Sequence, residues 1–140
     1  MKKLINISLI AIFIFTMTSC AQNKAKDSEA TTVQAKPTVE LINPTDLNAK
    51  LGDIQLVDVR TPKEYTEGHI KDAKNINFYD DNFIDQISKL DKDKEIYIYC
   101  RSGGRSGKAA KQLEAAGFTK VYDLQGGFKN WSGSNLEVAK

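Results

Sequence analysis

The sequence predicts an α/β domain with a central, mainly parallel sheet of about five strands, flanked by helices in three layers. Short β-branched and aromatic runs alternate along the chain with segments whose apolar residues recur at helical spacing. Such alternation is typical of a parallel sheet whose strands are joined through helices. The length, 140 residues, is enough for one small domain and not two.

The first predicted elements follow from a strand pattern and a helix start. Asn43 followed by Pro44 is a good start for a helix, because Pro is favoured at the first helical position. Leu47 and Leu51, four residues apart, fall on one face of that helix. In order, the first half of the domain is predicted to contain strand 39–42, this helix, strand 54–59, a short helix at 62–65 and a brief strand at 75–78.

The later elements are indicated by stronger periodicity. Helix 80–90 places Phe83, Ile84, Ile87 and Leu90 on one face. Residues 95–99, Glu-Ile-Tyr-Ile-Tyr, are β-branched and aromatic, as expected of a buried strand. The remaining elements are helix 106–116, with Ala109, Ala110, Leu113 and Ala116 at helical spacing, strand 121–124 and a last turn ending at Trp131.

The loop at 100–105, Cys-Arg-Ser-Gly-Gly-Arg, carries the clearest chemical signal. It joins the end of an apolar strand to the start of a helix. Backbone N–H groups in a tight glycine loop converge on one point, and the following helix adds the positive end of its dipole. Gly103 and Gly104 are expected to supply the positive φ angles that such a loop needs. The loop therefore predicts an anion site.

Cys100 begins this loop, and its sulfur is the predicted reactive atom. With Arg101, Arg105 and Lys108 nearby, the thiol should ionise more readily than that of a free cysteine. The hydroxyl of Ser102 is a further donor, and the three cations are candidates for attracting an anionic substrate. Two plainer interpretations remain: a buried apolar cysteine before an ordinary strand-to-helix turn, and cations that only solvate the start of a helix.

The first residues have the pattern of an export signal. Lys2 and Lys3 precede a mainly apolar stretch at 4–17 that is too short to span a bilayer comfortably. Met17-Thr-Ser-Cys20 resembles a bacterial lipoprotein box, in which the cysteine is acylated and becomes the first mature residue. We therefore predict a signal peptide at 1–19 and a lipid-anchored protein of the cell envelope, facing the periplasm or exterior; a plain secreted product is the alternative.

The rest of the chain divides into a tether, a domain and a tail. Residues 20–37 are predicted to be the lipidated Cys20 and a flexible tether, 38–133 the folded domain and 134–140 a C-terminal tail. If Cys20 is acylated, Cys100 is the one free thiol of the mature chain. In an oxidising compartment such a thiol must be shielded by its loop or kept reduced by a protein redox partner.

The charge pattern and the metal-ligand inventory exclude two other classes. The chain has 20 Lys and Arg against 18 Asp and Glu, and the lysines of the signal account for the excess, so no basic patch for nucleic acid is expected. One histidine and two cysteines offer none of the clustering that a zinc site needs. No metal and no organic cofactor is predicted.

Several motifs occur in order across residues 38–133: Asp58-Val-Arg-Thr-Pro62, Glu64-Tyr65, Gly68-His-Ile70, Ala73, Asn75-Ile76, residues 100–106, Gly117-Phe118, Val121-Tyr122, Leu124, Gly126-Gly127 and Trp131. Together they resemble the single-domain rhodanese sulfurtransferases. The resemblance implies that Cys100 takes a sulfane sulfur from a donor such as thiosulfate, holds it as a persulfide and passes it to a thiol or cyanide acceptor. The terminal sulfur would sit at the focus of the amides of residues 101–105.

Other readings of these residues stay open. Tyrosine phosphatases and arsenate reductases related to this fold place five residues between cysteine and arginine, whereas Cys100 and Arg105 enclose four, a ring better sized to one sulfur. A non-catalytic membrane-tethered persulfide carrier or binding module would need the same loop. Asp58 and Arg60 are candidates for a catalytic acid and an anchor, or for a buried pair that fixes loops. His69 is interpreted as a loop-fixing residue rather than a base.

Overall fold

The computed structural model describes residues 38–140, so the predicted signal peptide, Cys20 and the tether lie outside the described residues. Within that range no helix is both long and apolar enough to cross a bilayer. The elements are β1 (Thr38–Ile42), α1 (Pro44–Lys50), β2 (Gln55–Asp58), α2 (Pro62–Glu67), β3 (Lys74–Asn75), α3 (Phe83–Ile87), β4 (Ile96–Tyr99), α4 (Gly104–Ala115), β5 (Lys120–Leu124) and α5 (Gly127–Gly133).

The predicted parallel sheet is confirmed. The described strands form one five-stranded sheet in the order β1-β5-β4-β2-β3, and every neighbouring pair is parallel. In the register of β2 and β4, Asp58 stands beside Tyr99. The carboxyl ends of these two central strands therefore meet at one edge, and that edge carries Cys100 and Arg60.

Each face of the sheet is covered by an apolar cluster, which gives the three predicted layers. On one face, Phe83 and Ile87 of α3 and Leu113 of α4 pack on the strands. On the other face, Leu47 of α1 and Trp131 of α5 are completely buried. Apolar burial of this kind is the main force that fixes the helices against the sheet.

Several element boundaries differ from the predicted ones for local reasons. α4 begins at Gly104 rather than residue 106, because Gly103, with φ of 102°, already serves as its N-cap. α3 is shorter than the predicted 80–90, since residues 80–82 form a turn in which the N–H of Phe83 donates to the carbonyl of Asp80. α5 continues past the predicted end at Trp131 to Gly133.

The brief strand predicted at 75–78 is regular only over Lys74–Asn75. The chain nevertheless keeps bonding to β2 and its continuation: the N–H of Ile76 donates to the carbonyl of Asp58, and the N–H of Phe78 donates to the carbonyl of Val59. The predicted segment therefore pairs with β2 and its continuation, although the strand geometry ends at Asn75.

Residues 134–140, assigned from the sequence to a tail, return to the domain. His69 and Ala139 form an antiparallel bridge with both backbone hydrogen bonds at 2.9 Å. The indole N–H of Trp131 donates to the carbonyl of Glu137 at 2.8 Å. This segment therefore braces the loop that contains Gly68 and His69.

Candidate active site

Cys100 follows β4 directly and points into the domain. Its exposed fraction is 1%. Alternation along the strand places its side chain on the same face as Ile96 and Ile98, in the cluster that α4 covers. The residue is thus held by a rigid strand on one side and by the first turn of α4 on the other.

The sulfur of Cys100 is surrounded by hydrogen-bond donors of the loop. The backbone N–H of Gly103 donates to Sγ at 3.2 Å, and the hydroxyl of Ser106 lies 3.5 Å from the same atom. Burial acts to raise the pKa of the thiol, but the Ser106 hydroxyl and the amides of Ser106, Ser102 and Gly103 outweigh it, so the pKa of Cys100 lies below its usual range. The sequence predicts hydrogen-bond donors to the sulfur from residues 101–105, and the structure adds Ser106 to them.

The start of α5 fixes the carbonyl side of the loop. The N–H of Phe128 donates to the carbonyl of Cys100 at 2.8 Å, and the N–H of Lys129 donates to that of Arg101 at 3.0 Å. Gly127, with φ of +60°, lies so close that an added Cβ would stand 2.5 Å from the carbonyl oxygen of Cys100. The two carbonyls face α5, which leaves the loop N–H groups free to face the sulfur.

Asp58 and Arg60 form a buried ion pair that joins three segments. The guanidinium donates to the Asp58 carboxylate at 2.6 Å and to the carbonyl of Gly68 at 2.7 Å. It also lies over the ring of Phe128, 4.1 Å from the centroid. The pair therefore connects the end of β2, the Gly68 loop and α5, and within the described contacts neither side chain bonds to the Cys100 sulfur.

Arg105 is held by a partner that the sequence analysis did not pair with it. Its guanidinium binds the Glu64 carboxylate with two hydrogen bonds of 2.7 Å. Arg105 holds the pKa of Glu64 at about 2. Glu64 also completes a capping box with Thr61 at the start of α2. Of the three predicted cations, Arg105 is thus neutralised, while Arg101 and Lys108 are exposed.

A pocket of about 350 Å³ opens beside the sulfur. Its lining includes two aromatic and three cationic side chains, and no carboxylate of the described residues lines it. The pocket brings together most of the residues predicted from the sequence. It is lined by Phe78, Tyr79, Cys100, Arg101, Ser102, Gly104, Arg105 and Lys108.

Three residues near the site were missed as candidates. Ser106 had a visible signal, since it directly follows the loop and begins a helix. Glu64 had a signal only for its cap, in the spacing Thr61-x-x-Glu64. Asp123 had none: it is a buried carboxyl on β5 under α4. Residues 38–140 contain no group of three His, Cys, Asp or Glu side chains placed to hold a metal ion.

Comparison with known proteins agrees with this geometry. Residues 43–134 match the rhodanese-like domain family. The chain belongs to that family.

Named relatives and solved structures extend the comparison. The chain is 43% identical over 79 residues to the Bacillus subtilis protein YqhL, which bears the name "uncharacterized protein", covering 56% of this chain and 61% of that one. It is 37% identical over 86 residues to a protein named sulfurtransferase from Allochromatium vinosum, covering 61% and 78%. A Shewanella oneidensis protein named thiosulfate sulfurtransferase GlpE is 37% identical over 82 residues, covering 59% and 79%. The crystal structure of a rhodanese-like domain protein from Staphylococcus aureus has a TM-score of 0.62 at 34% identity, covering 72% of this chain and 99% of that one.

Proposed function

We propose that the protein is a sulfurtransferase in which Cys100 accepts a sulfane sulfur and passes it on. The observation that carries the proposal is the sulfur of Cys100, buried, with a lowered pKa and a loop N–H at 3.2 Å. Sulfurtransferase activity at the family level is supported by the rhodanese-like domain and by relatives that bear that name. The donor and the acceptor are the finer parts of the proposal.

The proposed donor is a small anion such as thiosulfate. The thiolate of Cys100 attacks the outer sulfur of thiosulfate, the S–S bond of the donor breaks, and sulfite leaves with the electron pair. The product is a persulfide, Cys100–S–S⁻, whose negative terminal sulfur occupies the donor-lined pocket. A thiolate or cyanide then attacks that terminal sulfur and takes it as a persulfide or as thiocyanate, which restores the thiolate.

The Glu64–Arg105 pair favours sulfur transfer over phosphate chemistry. A phosphatase needs its loop arginine to bind the oxyanion with both guanidinium N–H groups. In this chain both face the Glu64 carboxylate at 2.7 Å. A sulfur anion needs only the amide donors, and these are in place.

Turnover is tested with the full chain, thiosulfate and cyanide. We expect thiocyanate to form and, without cyanide, the intact mass to rise by one sulfur atom. Cys100→Ser should abolish both, because a hydroxyl nearly matches the thiol in shape but is far less acidic. Persistent loading of that variant would contradict the proposal. Loading of the unsubstituted protein without turnover would favour the persulfide carrier. The 1% exposure of Cys100 supports that alternative, since only a slender or docked acceptor reaches the sulfur.

We further propose that the domain is held at the cell envelope by a lipid on Cys20, and that a protein redox partner keeps the thiol of Cys100 reduced. The support is the sequence pattern of residues 1–20. Cys20→Ala should move the protein from the membrane to the soluble fraction of cells, as judged by fractionation and by loss of the lipid mass. Retention of the variant in the membrane would contradict the lipid anchor.

A further inference from the structure

Asp123 is a buried carboxyl group that the proposed reaction does not use. It lies in β5 with an exposed fraction of 5%, and within residues 38–140 its Oδ1 atom has no hydrogen-bond partner. A polar group buried without a partner destabilises the fold, and an apolar side chain would avoid that penalty. The carboxyl group therefore needs a reason other than packing.

The carboxyl group of Asp123 lies under the first turn of α4, on the Cys100 face of the sheet. The register of β4 and β5 sets Asp123 beside Ile98, and Cys100 follows Ile98 by two positions, so both side chains share that face. A Cβ placed on Gly107 would stand 3.7 Å from Oδ2 of Asp123. Asp123 thus reaches the turn of α4 that also carries Ser106.

The hydroxyl of Ser106 lies beside the sulfur of Cys100, in the turn of α4 that Asp123 faces. Its oxygen is 3.5 Å from Sγ of Cys100 and 3.3 Å from the carbonyl oxygen of Gly103. Burial raises the pKa of Asp123 to about 6, and the interaction with the Ser106 hydroxyl opposes that shift. A hydroxyl has a single proton to donate, so the carboxylate and the sulfur anion compete for it.

We infer that Asp123 is a positioning residue: its protonation state decides where the Ser106 hydroxyl donates, and thereby how strongly the anionic sulfur of Cys100 is stabilised. When Asp123 is neutral, its own proton satisfies the Ser106 oxygen, and the Ser106 proton is free for the sulfur. When Asp123 is ionised, it accepts the hydrogen bond of the Ser106 hydroxyl, and the sulfur loses that donor. The inference rests on the proposed function for its effect on sulfur transfer, but the thiol ionisation it predicts needs no sulfur donor.

The charged groups around Asp123 do not offer it another role. In register on the same face stand the apolar Ile98 of β4 and Leu41 of β1. The influences on its pKa are burial and Ser106, with no charged group among them. On the strands, the charged groups are Glu40 of β1 and Lys120 of β5, and both are exposed. On α4 they are the exposed Lys108 and Lys111, Arg105, which is paired with Glu64, and Glu114 in the last turn.

The test is the pH dependence of Cys100 alkylation by iodoacetamide in the full chain, with Cys20→Ala in every variant so that one thiol reacts. Without further change, the logarithm of the rate should rise with pH more shallowly than for one ionisation, because Asp123 ionises near pH 6 and resists the thiolate. Asp123→Asn should restore a single ionisation and lower the pKa of Cys100 by about one unit, so that alkylation at pH 7, where Asp123 is mostly ionised, is about fivefold faster. Glu114→Gln is the matched control, since it removes the same charge at the far end of α4, and it should leave the profile unchanged.

Route and fold are tested separately. In a Ser106→Ala background, Asp123→Asn should lose more than half of its effect; a full effect there would overturn the route through the hydroxyl. An unaltered profile for Asp123→Asn, or an equal change for Glu114→Gln, would overturn the inference. If Asp123→Asn fails to fold, the ¹³C titration of the Asp123 carboxyl decides: two steps, one of them coincident with Cys100 ionisation, support the coupling, and a single step refutes it. Neither result depends on thiosulfate turnover.

Discussion

Gly127→Ala should damage the domain and its reactive loop together, because the space for a methyl group is already filled by the loop backbone. The added Cβ would stand 2.5 Å from the carbonyl oxygen of Cys100 and 2.8 Å from the backbone nitrogen of Ser102. Both neighbours are backbone atoms, so no side chain can turn aside. The start of α5 must move away from the loop.

The magnitude follows from two contributions. A left-handed conformation, with φ of +60° at Gly127, costs a residue with a Cβ about 1–2 kcal/mol. Displacing α5 weakens the hydrogen bonds from Phe128 and Lys129 to the loop carbonyls, each contributing about 0.5–1.5 kcal/mol. We expect Gly127→Ala to lower the free energy of unfolding by about 2–5 kcal/mol, a large part of the roughly 5–15 kcal/mol typical of a whole domain.

Gly133→Ala provides the matched control at the other end of α5. No atom lies within 4 Å of its added Cβ, and Gly133 is a helical residue. This variant should be neutral or stabilised by up to about 1 kcal/mol. Urea unfolding of both, in the full chain, measures the difference, and Cys100 alkylation at pH 7 should slow at least about fivefold in Gly127→Ala alone, since loss of about 1 kcal/mol of thiolate stabilisation has that effect. Equal stability and equal alkylation rates for the two variants would refute the reasoning.

Two carboxyl groups give further predictions with opposite pH dependence. Arg105 holds the pKa of Glu64 at about 2, below its unfolded value. The pair therefore stabilises the fold above about pH 4.3 and loses this effect as the pH falls toward 2. In urea unfolding, Glu64→Gln should lower the free energy of unfolding by about 1–3 kcal/mol at pH 7 and by much less at pH 2. Burial raises the pKa of Asp123 to about 6. The fold therefore keeps its full stability at low pH, where Asp123 is neutral, and loses stability as the pH rises through 6. Asp123→Asn should be more stable than the unsubstituted protein by about 1–3 kcal/mol at pH 8, with the difference vanishing near pH 4. A constant difference across pH would contradict either assignment.

The sequence was sufficient to predict the features that depend on short stretches of chain. The alternation of strand and helix signals fixes a parallel sheet, and the position of Cys100 between an apolar strand and a glycine loop fixes the buried sulfur. Positive φ angles were expected at both Gly103 and Gly104. Gly103 has one, whereas Gly104 is helical. One positive-φ residue is enough to turn the chain from the loop into α4, so the helix begins two residues early.

Contacts between distant stretches could not be predicted in this way. Glu64 and Arg105 are separated by 41 positions, and the sequence shows only that each has a local role, one in a helix cap and one in the loop. The position of Asp123 under α4 depends on the strand register, since a shift of one residue would turn its side chain to the other face of the sheet. Likewise, the glycine pair at 126–127 predicts a turn, but not that the turn presses on the carbonyl of Cys100.

The geometry divides the electrostatic work of the site between buried dipoles and exposed charges. The main groups that lower the pKa of Cys100 are the Ser106 hydroxyl and the amides of Ser106, Ser102 and Gly103, while Arg105 is paired with Glu64. Buried dipoles are little affected by salt, whereas exposed cations are screened within about 10 Å at 0.1 M ionic strength. The thiolate is therefore stabilised mainly by dipoles, which leaves the exposed Arg101 and Lys108 free to attract an anionic donor and to release an anionic product. A strong cation held against the sulfur would make both thiolate and persulfide more stable but less nucleophilic, since nucleophilicity falls with pKa. Amide dipoles stabilise the thiolate less strongly than such a cation would, so the sulfur stays nucleophilic enough to accept a sulfur atom and can then release it.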